Sequence, residues 1–292
     1  MLKIIDAAIL SDHIYNPSKQ SLHGLKIYVR NKTATRHNGW ARMTDVDSRM
    51  NSNNPFYAQL YLKFEAGKAT DGVVVYRGTD KRDNYFVDAE TWYKNVLYNN
   101  EAVDNLPNHH YTVQAIEFFR TSMSYTRRHF PELQWGQLKT AGHSLGGALA
   151  AILPLACSFP TRAITFNAPG IGSVPGVNLD MGGNLYNVEA RYDFVSKIGK
   201  TIGKIYLIDV PEEASTAKAA FEHHNEAEKL EADIDRHPYS FETPYKMMEV
   251  KDTIELSAID CAISALAQHK ISHLVAALQK KAFNQLANMI VV

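Results

Sequence analysis

Residues 138–150 read LKTAGHSLGGALA, a short extended run, a Gly-x-Ser-x-Gly pattern and the start of an Ala-rich helix. This order is typical of a nucleophile elbow, in which Ser144 is forced out on a sharp strand-to-helix turn. A side chain at Gly142 or Gly146 would crowd that turn. The alternative is a Gly-rich turn without catalytic meaning, but the following apolar residues keep helical spacing: Leu145, Ala148, Leu149, Ile152 and Leu155. The stretch therefore predicts an α/β fold with Ser144 as its nucleophile.

The composition argues against several classes of protein. Lys plus Arg and Asp plus Glu both number 31, so the net charge is +0 and no basic field favours nucleic acid. Hydrophobic residues make up 45% of the 292 residues, enough for a sizeable core. The two cysteines, Cys157 and Cys261, exclude a disulfide framework and match no metal spacing. We expect an enzyme that needs no cofactor and no metal.

The first ten residues, MLKIIDAAIL, predict an amphipathic helix rather than a signal peptide. Asp6 interrupts their apolar run, and no small-residue cleavage site follows. No other stretch approaches the ~18 apolar residues needed to span a bilayer. We expect a protein that is made in the cytoplasm. Export by a route that needs no signal peptide is the alternative.

Runs of apolar residues along the chain alternate between strand-like and helix-like spacing. Residues 58–64 alternate like a half-exposed strand, residues 72–76 are apolar like a central strand, and the two predict an antiparallel hairpin. The polar residues 32–56 predict a surface excursion. A helix is expected over 110–130, a strand is expected to begin at Leu138 ahead of the elbow, and further strands are expected over 162–167, 185–190 and 204–209. This alternation predicts a mostly parallel central sheet with helices on both faces.

We expect the chain to divide into an α/β domain over residues 1–250 and a helical C-terminal segment over residues 251–292. Residues 214–234 are charged and predict a solvated helix. In the C-terminal segment an apolar stripe is interrupted by His269 and several lysines. We expect this stripe to pack on the domain; contact with a membrane surface or a partner is the alternative.

Two motifs together resemble the class 3 (fungal-type) lipase family. They are YRGT at residues 76–79, after the apolar strand, and GHSLGGA at residues 142–148. The resemblance extends over roughly residues 55–240. Within the family, the chain is most similar to bacterial members that resemble lipase and phospholipase effectors. It implies the α/β-hydrolase fold, with Thr79 and the backbone N–H of Leu145 as the oxyanion hole.

The acid of the expected triad is Asp193. It follows the predicted strand 185–190, and the family carries its acid in an Asp-x-Val pattern such as residues 193–195. A carboxylate there would hold a catalytic imidazole in the tautomer that accepts the serine proton. The alternative is a loop aspartate that caps a turn, and Asp180 and Asp209 are weaker candidates.

The base is predicted to be His237. The histidines after Asp193 are His223, His224, His237, His269 and His273. His223 and His224 lie on the charged helical stretch, whereas Pro238 forces His237 out of helical geometry and into a loop. The family places its base in such a loop, although Pro238 and Tyr239 before Ser240 depart slightly from its pattern. His143, inside the elbow, is expected to pack or hydrogen-bond behind the turn rather than to act in the triad.

By the resemblance, residues 83–93 occupy the place of a lid over the acyl site; a surface loop is the alternative. Taken together, these features of the sequence predict a serine carboxylic-ester hydrolase that cleaves acylglycerol-type esters through an acyl-serine intermediate. Two alternatives stay open: a phospholipase A that acts on membrane glycerophospholipids as a bacterial effector toxin, and a catalytically dead binding module. The expected partners are a lipid or small ester substrate, a peripheral membrane contact and, for an effector, an inhibitory protein.

Overall fold

The computed structural model describes residues 1–31, 38–48, 56–78, 110–134, 137–156, 161–172, 177–193, 195–197, 199–210 and 269–291, which are called the described residues below. Their helices are α1 (Ile4–His13), α2 (His110–His129), α3 (Leu145–Ala156), α4 (Ile271–Leu278) and α5 (Asn284–Ala287). Their strands are β1 (Ser21–Leu22), β2 (Leu25–Arg30), β3 (Gly39–Asp47), β4 (Ala58–Glu65), β5 (Lys68–Tyr76), β6 (Leu138–His143), β7 (Ala163–Phe166), β8 (Leu185–Ala190) and β9 (Lys204–Ile208).

The described strands form one sheet whose spatial order follows the chain from β1 to β9. Strands β5 to β9 are parallel, β3 to β5 are antiparallel, and β2 pairs with β3 in parallel. The α/β fold expected from the sequence is therefore confirmed. Because the strands from β5 onwards run in one direction, the loops after them meet at one edge of the sheet, where α/β proteins bind ligands.

Helices cover both faces of the sheet, as expected. Strand β5 shows why: Val74 and Tyr76 pack into a core with α2 and α3, whereas Val73 and Val75 pack into a core with α1 and α4. A strand buried on both faces is apolar throughout, which explains its unbroken run of valines. Among the described residues, no helix combines the length and apolar character needed to cross a membrane.

The hairpin of β4 and β5 is confirmed, but the exposure predicted for β4 is wrong. The turn lies at Ala66 and Gly67, which have φ values of 49° and 80°. Along β4, however, residues 58–62 are all buried. Successive side chains of β4 face two different cores, rather than a core and the solvent. Leu60 packs towards α2 and α3, and Tyr61 packs towards α1 and α4.

The surface excursion predicted over residues 32–56 is also wrong in part. Strand β3 lies within this range, between β2 and β4, and it buries Trp40 and Met43. Pairing with both neighbours satisfies the backbone hydrogen bonds of β3, so a polar local composition does not prevent a strand there.

Helix α4 packs against α1 at the other end of the chain. Leu274 and Leu278 of α4 are fully buried in the core that α1 shares. The division of the chain at residue 250 stays a prediction, since residues 211–268 lie outside the described ranges.

Candidate active site

The serine turn has the geometry of a nucleophile elbow. Ser144 follows β6 directly, precedes α3 and has a φ of 57°, in the left-handed region that a non-glycine residue rarely adopts. Its N–H donates to the carbonyl oxygen of Phe166 at 2.9 Å, and its own carbonyl accepts from the N–H of Gly147 at 2.9 Å. These bonds hold the turn between the sheet and the helix.

The two glycines of the pattern are required by close backbone contacts. A Cβ at Gly142 would lie 2.2 Å from the carbonyl oxygen of Gly146, and a Cβ at Gly146 would lie 2.1 Å from that of Tyr76. Neither distance is possible for real atoms. The crowding predicted for these positions is therefore confirmed. The contact of Gly146 with Tyr76 also shows that the end of β5 lies against the elbow.

Asp193 lies at the carboxyl end of β8, fully buried. Its N–H donates to the carbonyl oxygen of Ala190 at 3.1 Å, and its Oδ2 accepts from the N–H of Ser196 at 2.7 Å. The other carboxylate oxygen, Oδ1, lies 2.7 Å from Nδ1 of His269. The carboxylate is thus fixed by the backbone and directed at an imidazole.

The histidine that the structure brings to Asp193 is His269, which the sequence did not single out. His269 is 5% exposed and lies two residues before α4, within the apolar stripe that it interrupts. Its ring lies beside that of His143, with centroids 4.7 Å apart. Since His143 directly precedes Ser144, the imidazole of His269 lies next to the elbow. A polar break in a stripe was the one signal in the sequence.

Several predicted site residues lie outside the described residues: Thr79, the lid candidate 83–93, and the histidines His223, His224 and His237. The assignment of His237 as base therefore stays a prediction, but Asp193, the carboxylate expected to orient His237, is hydrogen-bonded to His269.

Leu145 is the first residue of α3, and the first N–H groups of a helix have no acceptor within the helix. That position suits the oxyanion donor predicted there.

Gly78, next to the predicted donor Thr79, also lies against the elbow. A Cβ on Gly78 would be 3.1 Å from the Cβ of Ser144 and 2.6 Å from the carbonyl oxygen of His143. The first residues after β5 thus lie against Ser144, on the side from which the predicted donor Thr79 follows.

His143 lies behind the turn and is hydrogen-bonded there, as expected. Burial, assisted by the electrostatic effect of the neighbouring His269 ring, lowers the pKa of His143 to about 3. His143 is therefore a neutral imidazole at physiological pH. In the described part of the chain, no group of three or more His, Cys, Asp or Glu side chains is arranged to hold a metal ion.

A strand–serine–helix turn in a mostly parallel sheet, with an Asp–His pair beside it, defines an α/β protein with a candidate acyl-transfer site. Residues 6–174, more than half of the chain, match the model of the Tle-like phospholipase domain, a phospholipase-like family. The chain belongs to this family of lipase- and phospholipase-type hydrolases. A search of curated proteins found no match. Membership of the class 3 lipase family, an effector role and an inhibitory partner stay predictions.

Proposed function

We propose that the protein is a serine phospholipase that hydrolyses the acyl esters of membrane glycerophospholipids. The observation that carries this proposal is the 2.7 Å contact between Asp193 and His269 beside the elbow of Ser144. The family match favours a phospholipid over the acylglycerols that the sequence first suggested. An acylglycerol lipase with the same residues is the second candidate.

In the proposed reaction His269, rather than His237, is the general base. Its Nε2 takes the proton of Ser144 Oγ as that oxygen bonds to the ester carbonyl carbon. Asp193 accepts the Nδ1–H of His269, which leaves Nε2 as the basic nitrogen and stabilises the imidazolium. Both roles follow from one hydrogen bond.

The tetrahedral intermediate then collapses with loss of the lysophospholipid alcohol. The ester C–O bond breaks, His269 returns the proton to the leaving oxygen, and the acyl group stays on Ser144. Water, deprotonated by His269, next attacks the acyl-serine; the bond between the acyl carbon and Ser144 Oγ breaks, His269 returns the proton to Oγ, and the fatty acid is released. In both steps the negative oxygen is stabilised by the N–H of Leu145 and by Thr79, and such a donor contributes about 10²-fold or more to the rate.

A lipid panel tests the substrate. The purified full chain is incubated with phosphatidylcholine and phosphatidylethanolamine vesicles and with emulsions of mono-, di- and triacylglycerol, and released fatty acid is measured. We expect release from the vesicles, and none above background with Ser144→Ala. Faster release from acylglycerols than from phospholipids would instead support the lipase.

A fluorophosphonate probe separates both candidates from the catalytically dead binding module. The probe reacts with an activated serine, so we expect it to label the wild-type chain and not Ser144→Ala. An unlabelled wild-type chain that releases no fatty acid from any lipid would overturn the proposed function.

A further inference from the structure

The backbone carbonyl of His269 is contacted by two side chains. Nε2 of His143 lies 2.6 Å from this oxygen, and Nδ2 of Asn167 donates to it at 3.3 Å. The side chain of His269 is held separately, through Nδ1, by Asp193. The histidine beside the elbow is therefore fixed at its ring and at its main chain by different groups.

The hydrogen bonds of His143 fix its tautomer. A carbonyl oxygen only accepts, so the Nε2 that contacts His269 carries the proton. Nδ1 of His143 is then an acceptor, and the hydroxyl of Tyr15 lies 3.1 Å from it. The same hydroxyl accepts from the N–H of Gly78 at 3.1 Å. The ring is neutral because burial lowers its pKa to about 3, so both bonds persist at physiological pH.

These bonds connect the loop after β5 to the histidine. They run from the N–H of Gly78 to the hydroxyl of Tyr15, from that hydroxyl to Nδ1 of His143, and from Nε2 of His143 to the carbonyl of His269. His143 is 2% exposed, so water does not compete for its bonds. Tyr15, which follows α1, thus ties the N-terminal part of the chain to the site.

Asn167 connects the same carbonyl to the strand that carries the acid. It follows β7 with a φ of 47°, a left-handed conformation that asparagine tolerates better than most residues. Its Oδ1 accepts from the N–H of Ala190 at 2.7 Å, and the carbonyl of Ala190 accepts from the N–H of Asp193. Glycine would fit this backbone but would supply neither bond.

We propose that His143 and Asn167 are positioning residues that clamp the backbone carbonyl of His269 and so set its imidazole between Asp193 and Ser144. The inference rests on the proposed function for its effect on rate. General-base catalysis tolerates little displacement of the base, since a shift of about 1 Å in its position lowers the rate about 10²-fold. Groups that hold the backbone of His269 are therefore expected to affect the rate. The clamp acts through His269 and does not touch the substrate.

Paired variants separate the clamp from simple packing. His143→Gln keeps an N–H near the position of Nε2, whereas His143→Asn keeps only an acceptor near Nδ1. Asn167→Asp keeps the acceptor for Ala190 and loses the donor to His269. Asn167→Gly loses both of these bonds, but it adds no charge and leaves the backbone without strain. Thermal unfolding shows which variants are folded, and only those are compared.

Hydrolysis of a short nitrophenyl ester gives kcat and KM for each variant. We expect kcat to fall about tenfold or more in His143→Asn, Asn167→Asp and Asn167→Gly, with KM within about twofold of wild type. We expect His143→Gln to restore kcat to within about threefold of wild type. Wild-type kcat in the three clamp-deficient variants, or an equal loss in His143→Gln and His143→Asn, would overturn the proposal.

A second readout does not depend on hydrolysis. The Nδ1–H of His269, shared with Asp193, is expected as a far-downfield proton resonance that shows slow exchange with water. It should persist in His143→Gln and be lost or broadened in His143→Asn and Asn167→Gly. If the wild-type chain hydrolyses no ester, the proposed function fails while this resonance still decides the clamp; an unchanged resonance in both deficient variants refutes it.

Discussion

At the scale of single residues, the histidine opposite Asp193 has the largest consequence for mechanism. His269 contacts this carboxylate and lies beside the elbow, whereas the sequence favoured His237 because it lies before a proline. Pro238 indicates a loop, but a loop position does not bring an imidazole to the acid. The contact with Asp193 is the stronger criterion for a base, because a catalytic imidazole needs an orienting acceptor.

We therefore expect His269→Ala to lower kcat/KM for ester hydrolysis about 10³-fold or more, with His237→Ala close to wild type. Steady-state kinetics with a nitrophenyl ester measures both, and circular dichroism checks that each variant is folded. The reverse result, an inactive His237→Ala and an active His269→Ala, would restore the base predicted from the sequence.

The low pKa of His143 predicts a pH dependence of stability. In the folded protein this pKa is lowered from 6.5 to about 3, so between these values the unfolded chain binds a proton that the native chain does not. The contribution of His143 to stability is present above pH 6.5 and is lost as the pH falls towards 3. Its limiting slope is about 1.4 kcal/mol per pH unit.

Urea unfolding of wild type and His143→Gln at pH 7, 5.5 and 4.5 tests this linkage. Glutamine does not titrate, so we expect the free energy of unfolding of the variant to fall less steeply on acidification than that of wild type. Other groups, such as the buried His13 with its lowered pKa, contribute to both proteins and cancel in the comparison. Parallel pH profiles for the two proteins would contradict the assigned protonation state.

At the scale of elements, the elbow is determined by contacts between three backbones. Strand β5, strand β6 and helix α3 approach closely enough that a Cβ at Gly146 would lie within 2.1 Å of the carbonyl oxygen of Tyr76. The strand has to end and the helix has to begin within two residues. This is why the local pattern at residues 142–146 predicted the local structure well.

Gly146→Ala is expected to destabilise the protein by about 3 kcal/mol or more, because backbone atoms have to move to accept the methyl group. Gly183→Ala is the control, since no atom lies within 4 Å of a Cβ at that position. Denaturant unfolding of the two variants and wild type gives the comparison. Equal stability of both variants would show that the elbow relaxes more easily than its contacts indicate.

The elements themselves followed from the sequence to different degrees. Strand β8 and helix α2 were predicted to within one residue of their ends, whereas the predicted strand over 72–76 is only the apolar last part of β5, which begins at Lys68. Strand β3 was missed because its polar neighbours resemble a loop, and only pairing with β2 and β4 makes it a strand. The exposure of β4 was wrong because sequence alternation does not show whether its second face is covered by solvent or by another core.

At the scale of the whole molecule, the two ends of the described chain meet in one core. Helices α1 and α4 pack together on the face opposite α2 and α3. His269 lies two residues before α4, so the packing of this helix on α1 places the histidine near the elbow. The family match ends at residue 174, before both Asp193 and His269, and so it covers the proposed nucleophile but neither the proposed acid nor the proposed base.

The sequence alone determined the α/β class, the serine turn and a candidate acid at the end of a strand. Each depends on contacts between residues close in the chain or on a repeated apolar period, which a single sequence displays. Only the tertiary structure decided which histidine meets Asp193, because the two are 76 residues apart and are joined by the packing of α4. It also revealed the hydrogen bonds of Tyr15, His143 and Asn167, whose partners come from distant parts of the chain.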